Sequence, residues 1–180
     1  MAYNLKDVFY LDTAVTTGTG TGTIAQQLDL SSYVDPIARG RSKGTGLAIY
    51  KVHYDISDSD GNSPVPASSA GTFRAALMSL SGIPSGSFTL QDNQLNAASD
   101  LMVAGVNFYG GGTAAGDPAP HTFLEPSPEV PYVVVRDQVV LIADITTGMG
   151  TSAIVNVRLE CAQVTLDQAT LNQLLRTQTV

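Results

Sequence analysis

Glycines alternate with threonines near the start of the chain, in a stretch whose composition suits a phosphate-binding loop. The glycines stand at positions 18, 20 and 22, within the letters TTGTGTGT. A phosphate loop needs its glycines where a strand turns into a helix, and a P-loop also needs a lysine followed by serine or threonine. Neither feature is present, because residues 24–30 have no helical pattern. The alternation therefore predicts an extended, pliable strand, since threonine favours the pleat and glycine weakens it.

A group of cations follows this stretch. Arg39, Arg41 and Lys43 form a concentrated positive patch in a chain whose net charge is −7. One interpretation is a solvated loop, and the other is a loop that contacts the acidic surface of a neighbouring copy. Under the second interpretation, the residues expected at a subunit interface are Thr17, Gly18, Thr19, Gly20, Thr21, Gly22, Arg39, Arg41 and Lys43.

The letters DSDGN contain the oxygen ligands that calcium prefers. Asp58, Asp60 and Asn62 are the candidate metal ligands. A complete EF-hand loop would also place acids at the positions of Ile56 and Ala67, and both acids are missing. An Asp-Gly turn between two strands accounts for the same letters. A calcium site and a plain turn are therefore both open interpretations.

Residues suited to catalysis are few and scattered. His53 and His121 lie far apart, and neither has a second histidine at the spacing of metal ligands. The letters GIPSG place Ser85 at the wrong offset for the nucleophile elbow of a hydrolase. Glu125 and Glu129 flank prolines, in a stretch that suits a turn better than a pair of glycosidase carboxylates. We therefore expect no enzyme, no cofactor apart from the candidate calcium, and no small-molecule substrate.

Any functional side chains must be positioned by the segments in which apolar and polar residues alternate. In GLAIYKVHYDIS, residues 46–57, apolar and polar residues alternate as they do in a strand with one covered face. We place on the apolar face Ala48, Tyr50, Val52, Tyr54 and Ile56. The segment TSAIVNVRLECAQVTL repeats the pattern, and its apolar face contains Ala153, Val155, Val157, Leu159 and Cys161. Cys161, the single cysteine, is expected to be buried and unreactive. With the preceding strand, this segment predicts a hairpin over residues 138–164.

The remaining segments complete an all-β prediction. Further strands are predicted at 7–16, 25–34, 72–80, 86–91, 100–109 and 130–136. Only the tail has helical spacing, with Leu171, Leu174 and Leu175 at spacings of three and four. Thr165 and Gln168 are the predicted capping residues. The pattern predicts a jelly-roll β-sandwich of two facing antiparallel sheets, with a short C-terminal helix. We expect a single domain over 1–180, with residues 1–24 as a candidate extended arm.

The composition favours a protein that works in an assembly. Only 14% of the residues are charged, against about 25% in typical soluble domains. An obligate assembly, whose interfaces resemble a core cut in half, accounts for such a weakly charged surface. The negative net charge opposes a broad grip on nucleic acid. The segment MAYNLKDVFYLDTAV has no apolar run of the signal-peptide kind, so we expect synthesis in the cytoplasm without secretion by a signal peptide.

One block of the sequence resembles a known family. The run LDLSSYVDPIARGRSKGTGLAIYKVHYDIS, residues 28–57, together with the later strands, resembles single jelly-roll major capsid proteins of icosahedral, internal-membrane viruses of archaea and thermophilic bacteria. The resemblance implies a virion subunit that self-assembles into an icosahedral shell. It also implies partners: other copies, a second capsid protein, or an inner membrane or minor protein, without direct contact with nucleic acid.

Two other classes stay open. One is a non-catalytic binding β-sandwich, such as a phage decoration or tail component or a carbohydrate-binding module. Carbohydrate modules generally stack sugars on exposed aromatic residues, and this chain has no tryptophan and 7% aromatic residues. The other class is an enzyme built on a sandwich. The fold cannot choose among these classes, because jelly rolls have all three roles.

Overall fold

The computed structural model describes residues 7–35, 43–62, 64, 71–80, 96–110, 119–149 and 151–178. These residues form nine strands and one helix, in the order β1 (Phe9–Thr16), β2 (Gly22–Asp29), β3 (Lys43–Ser57), β4 (Gly71–Met78), β5 (Met102–Gly110), β6 (Ala119–Leu124), β7 (Tyr132–Val134), β8 (Gln138–Thr147), β9 (Ile154–Asp167) and α1 (Gln168–Thr177). The predicted strand at 86–91 lies outside the described residues. No helix in the described ranges is long and apolar enough to cross a membrane.

The strands form two antiparallel sheets that face each other. The four-stranded sheet has the order β1-β9-β3-β7, and the five-stranded sheet has the order β2-β8-β4-β5-β6. The pairing is nested, with β1 on β9, β2 on β8, β3 on β7 and β4 on β5. A long antiparallel double strand gives this nesting when it is rolled into two layers, as in a jelly roll. The predicted jelly-roll sandwich with a short C-terminal helix is confirmed.

The predicted apolar face of β9 fills the core. Ala153, Val155, Val157, Leu159 and Cys161 are all buried against the facing sheet, as period-two alternation requires. Burial raises the pKa of the Cys161 thiol to about 12, because a thiolate is poorly stabilised away from water. The prediction of a buried cysteine is confirmed.

The predicted hairpin over 138–164 is wrong. β8 lies in the five-stranded sheet and β9 in the four-stranded sheet, so the two strands do not pair. Each is already paired on both sides, β8 with β2 and β4, and β9 with β1 and β3. β8 is also buried on both faces, since Leu141 belongs to the main core while Val140 and Ile142 belong to a second apolar cluster on the outer face. The segment between the two strands therefore crosses from one sheet to the other.

At Tyr50, the alternation of inward and outward side chains along β3 shifts by one residue. The register against β9 shifts by one residue there, which is a β-bulge. Leu47 and Ile49 face the core before the bulge, and Val52 faces it afterwards. The prediction that placed Ala48 and Tyr50 on the same face as Val52 is corrected for that reason.

Some element boundaries also differ from the predictions. β2 covers Gly22–Asp29 in place of 25–34, because the Asp29 carboxylate accepts the Ser31 N–H at 2.8 Å and turns the chain. β6 lies in a stretch where no strand was predicted. The helix cap is Asp167, whose carboxylate accepts the Thr170 N–H at 2.8 Å, and Thr165 lies inside β9.

The N-terminal segment takes part in the sandwich. Residues 9–16, within the stretch 1–24 considered above as a candidate arm, form β1 at the edge of the four-stranded sheet. Val15 is buried in the core, and Phe9 and Leu11 pack against it. Alternate side chains of β1 therefore contribute directly to the folded domain.

A buried amide fixes the end of α1 to the sandwich. Gln178 is 4% exposed, and its Nε2 donates to the Val133 carbonyl at 2.7 Å. Its Oε1 accepts the Val135 N–H at 3.2 Å and the Ser79 hydroxyl at 3.3 Å. The side-chain amide thus bonds the outer edge of β7 and the residue after it as a neighbouring strand would.

Candidate functional site

Polar side chains cross the outer face of the four-stranded sheet in three rows. β9 lies between β1 and β3, so each of its outward residues has one neighbour on either side. The rows are Tyr10, Glu160 and Lys51; Asp12, Arg158 and His53; and Ala14, Asn156 and Asp55. We call these nine residues the polar face. A groove of ≈ 650 Å³ runs over eight of them, all except Lys51.

Side-chain contacts join the first two rows of the polar face. His53 Nε2 lies 2.7 Å from Glu160 Oε1, and the Arg158 guanidinium lies over the Tyr10 ring at 5.2 Å. His53 and Glu160 are 44% and 31% exposed, so their contact contributes at most about 1 kcal/mol. Tyr10 is 57% exposed. The polar face is therefore open to solvent and suited to surface contacts.

The two histidines do not share a site, although His53 lines the groove together with Asp12, Asp55 and Glu160. His53 lies on β3 and His121 on β6, in different sheets. Within the described ranges, no group of three or more His, Cys, Asp or Glu side chains is placed to hold a metal ion. The contacts seen on the polar face are the His53–Glu160 and Asn156–Asp55 hydrogen bonds and the cation–π contact between Arg158 and Tyr10.

The threonine–glycine stretch joins the two sheets. Thr17 is buried, its N–H donates to the Ala153 carbonyl at 2.7 Å, and its Oγ1 accepts the Ala153 N–H at 2.9 Å. Residues 18–21 form an exposed turn, and β2 begins at Gly22. The prediction of an extended strand is wrong for Gly18 and Gly20, because the chain turns there to cross from one sheet to the other; of the three glycines, Gly22 lies in a strand. Thr17 serves the fold, while residues 18–22 stay predicted interface residues.

Of the predicted cationic loop, the structure describes Lys43. It begins β3, is exposed, and lies opposite Asp167 in the register. The pKa of Asp167 is lowered first by the hydrogen bond from the Thr170 N–H, and the Lys43 charge lowers it further. Arg39 and Arg41 lie outside the described residues. A subunit contact through these cations stays a prediction.

The candidate calcium ligands form a closed turn. The Asp58 Oδ1 accepts the N–H groups of Asp60 at 2.9 Å and of Asn62 at 2.8 Å. The backbones of Asp58 and Asn62 also bond each other at 2.8 Å. Gly61 has a φ of 79°, which glycine adopts without strain. These bonds show that the segment DSDGN forms a turn. Calcium binding at Asp58, Asp60 and Asn62 stays a prediction.

The sequence predicted some of the exposed residues of the polar face, but not that they lie side by side. In residues 46–57, the predicted alternation leaves Lys51, His53 and Asp55 on the side opposite the apolar face, and the same pattern applies to β9. The register that brings the two strands together was missed, because the hairpin prediction paired β9 with β8. Tyr10 and Asp12 gave no separate signal, since any edge strand has such exposed residues.

Comparison with known proteins shows similarity in structure. No protein-family model matches the chain, and no curated protein matches its sequence. The VP1 protein of Trichodysplasia spinulosa-associated polyomavirus, in complex with GM1 oligosaccharide, matches with a TM-score of 0.52 and 7% identity over 93% of this chain and 98% of that chain. A second structure of that VP1 has a TM-score of 0.45 and 9% identity over 91% and 98%. Merkel cell polyomavirus VP1 with disialyllactose has a TM-score of 0.45 and 6% identity over 93% and 98%.

These findings define the class of fold. The chain is a jelly-roll β-sandwich with nested pairing of strands. Its fold is similar to that of the polyomavirus VP1 found with GM1 oligosaccharide, which is a viral capsid protein. At 7% identity, the likeness concerns the fold.

Proposed function

We propose that this chain is a capsid subunit that assembles with other copies into the shell of a virus. The observation that supports this role is the jelly-roll fold, which matches a viral VP1 over 93% of this chain. A sandwich with all its central strands paired on both sides is a rigid slab. Such slabs build closed shells when loops and edges on each copy contact the next copy.

The surface chemistry suits this role. The chain carries nine Lys and Arg and 16 Asp and Glu among 180 residues, so little charge must be desolvated when copies meet. The polar face carries charges of both signs, so it can contact the same face of another copy. Its cations are Arg158 and Lys51, and its acids include Asp12 and Asp55. Contacts between copies can therefore pair opposite charges without a separate partner.

The proposal also covers the shape of the shell and what lies inside it. We propose an icosahedral shell of the kind that encloses an internal membrane, as the resemblance of residues 28–57 implies. The net charge of −7 supports an inner partner other than nucleic acid, since phosphate backbones are bound by clustered cations. A second capsid protein, or an inner membrane or minor protein, suits that position. The proposed role is structural and involves no catalysis.

Size-exclusion chromatography with negative-stain microscopy tests the role. The purified protein should form rings, arrays or shells at one or more of several salt concentrations. Replacing Arg39 and Arg41 with Glu should impair these particles without unfolding the sandwich, while the charge-conserving change of both residues to Lys should not. A wild-type protein that stays monomeric under all conditions would contradict the proposal.

A second candidate function is the binding of a glycan. The exposed Tyr10 ring and the neighbouring Asp12 and Asn156 in the groove are the residue types that stack on and hydrogen-bond to sugars. Titration of oligosaccharides, read by tyrosine fluorescence, tests this function, with Tyr10→Ala as the variant and Tyr109→Ala as the control on the other sheet. A monomer that binds a glycan through Tyr10 would favour this candidate over the shell.

A further inference from the structure

Two of the edge strands carry features that prevent further pairing. An exposed edge presents unpaired N–H and C=O groups to any other strand, and proteins protect such edges. β7 is three residues long, and the Gln178 amide occupies the Val133 carbonyl and the Val135 N–H beside it. β6 contains Pro120, which has no N–H to donate, and its register against β5 is broken by an irregularity.

The other two edges lie on the opposite side of the sandwich, where β1 and β2 are in contact. β2 is partly covered by its own side chains, since Gln26 Nε2 donates to the Gln27 carbonyl at 3.2 Å. β1 has none of these protective features, although β2 shares its regular register. Its eight residues include no proline, glycine or lysine, and its register with β9 is regular along its whole length. β1 therefore offers an uninterrupted edge that another strand can extend.

The hydrogen-bonding phase identifies the outward backbone groups of β1. The Thr17 N–H donates to the Ala153 carbonyl, and this pair continues the β1 register. Bonds across an antiparallel pair recur at every second residue, so the odd-numbered residues of β1 face β9. The residues whose N–H and C=O groups face away from β9 are Tyr10, Asp12, Ala14 and Thr16. All four are exposed, and no strand in the described part of the chain pairs with them.

We propose that β1 pairs antiparallel with β1 of a second copy about a two-fold axis. The two four-stranded sheets then join into one continuous sheet. This inference rests on the proposed function, since the second copy is a neighbour in the assembly. A two-fold contact requires a self-complementary strand, and β1 offers the same four outward residues to both copies.

The register of the pair follows from the charges and the number of bonds. With the axis at Thr13, Asp12 lies opposite the partner's Ala14 and Tyr10 opposite the partner's Thr16, so all four outward residues of each copy are paired. Moving the axis to position 12 would place the two Asp12 carboxylates opposite each other, which is unfavourable. Moving it to 11 or 14 would leave outward residues unpaired. The axis at Thr13 is therefore the favoured arrangement.

Amide hydrogen exchange on the unmodified protein tests the pairing directly. At concentrations where the protein is monomeric, the amides of Tyr10, Asp12, Ala14 and Thr16 should exchange fast and those of Leu11 and Thr13 slowly. As the protein associates, the four even-numbered amides should gain protection together. Association without any gain of protection at these amides would overturn the proposal.

A proline at position 14 tests the bonds themselves. Ala14→Pro removes an N–H that points away from β9, so the sandwich should keep its circular dichroism spectrum. The variant removes two hydrogen bonds from each dimer, which should weaken dimerisation about 30-fold in sedimentation equilibrium. Ala14→Ser keeps the N–H and is the matched control. A folded Ala14→Pro variant that dimerises like the control would contradict the pairing.

Charge at position 14 tests the register. Ala14→Lys places a cation opposite the Asp12 of each partner and should tighten the dimer, whereas Ala14→Asp places like charges there and should loosen it. Equal effects of the two changes would refute the axis at Thr13. Shells that form while the even-numbered amides stay unprotected would refute the pairing and leave the proposed function intact. Dimers that have protected amides but never assemble further would support the pairing and contradict the proposed function.

Discussion

The Gln178 amide should be worth more to stability than any exposed side chain of α1. Gln178→Ala removes the partners of the Val133 carbonyl, the Val135 N–H and the Ser79 hydroxyl. A buried polar group that loses its partner costs about 1–3 kcal/mol. Val133 is half-buried, so water can replace the lost partner of its carbonyl, and we expect a total loss of about 3 kcal/mol in the free energy of unfolding.

Urea denaturation followed by circular dichroism measures this loss. With a slope of about 2 kcal/mol per molar urea, the midpoint should fall by about 1.5 M at an unchanged slope. Gln173→Ala is the matched control, because Gln173 is an exposed glutamine on the same helix and its replacement should change stability by less than about 0.5 kcal/mol. If Gln178→Ala changes stability no more than this control, the amide does not fix α1 to β7 and the reasoning is refuted.

Other predictions concern the core and the helix cap. Cys161 should stay unreactive towards a thiol reagent such as DTNB until the protein unfolds, because burial raises its pKa to about 12; reaction in the folded state would show that the core is open. Gly105→Ala would place a Cβ 2.3 Å from the Phe123 ring and should cost about 1–3 kcal/mol in thermal or urea unfolding, while Gly20→Ala, with nothing within 4 Å, should cost far less. The hydrogen bonds at Asp167 lower its pKa below the ordinary 3.8, so the stability that wild type has over Asp167→Ala should be present above pH 3.8 and be lost as the pH falls through the lowered pKa; a difference that is constant across this pH range would contradict the cap.

Local alternation in the sequence predicted much of the fold. The inward face of β9 was correct residue by residue, because a strand paired on both sides with one face in the core has a strict period of two. The long strand β3 was also found, but its single bulge at Tyr50 exchanged the two faces of its first half. A bulge adds one residue without a composition signal, so the sequence does not reveal it.

Pairing between strands could not be predicted in the same way. β8 and β9 are close in sequence and both strongly apolar, which favours a hairpin when each is considered alone. Their actual partners are the early strands β1 to β4, because a jelly roll nests the end of the chain on its beginning. The polar face depends on this nesting, since Asp12, Arg158 and His53 come from three distant segments.

Sedimentation velocity of the purified chain tests the central claim, which is that this jelly roll is a self-assembling shell subunit. One chain has a mass of 18.8 kDa. We predict discrete species many times this mass, whose fraction grows with protein concentration. A single species at the mass of one chain, over the whole range of concentration and salt, would contradict the claim.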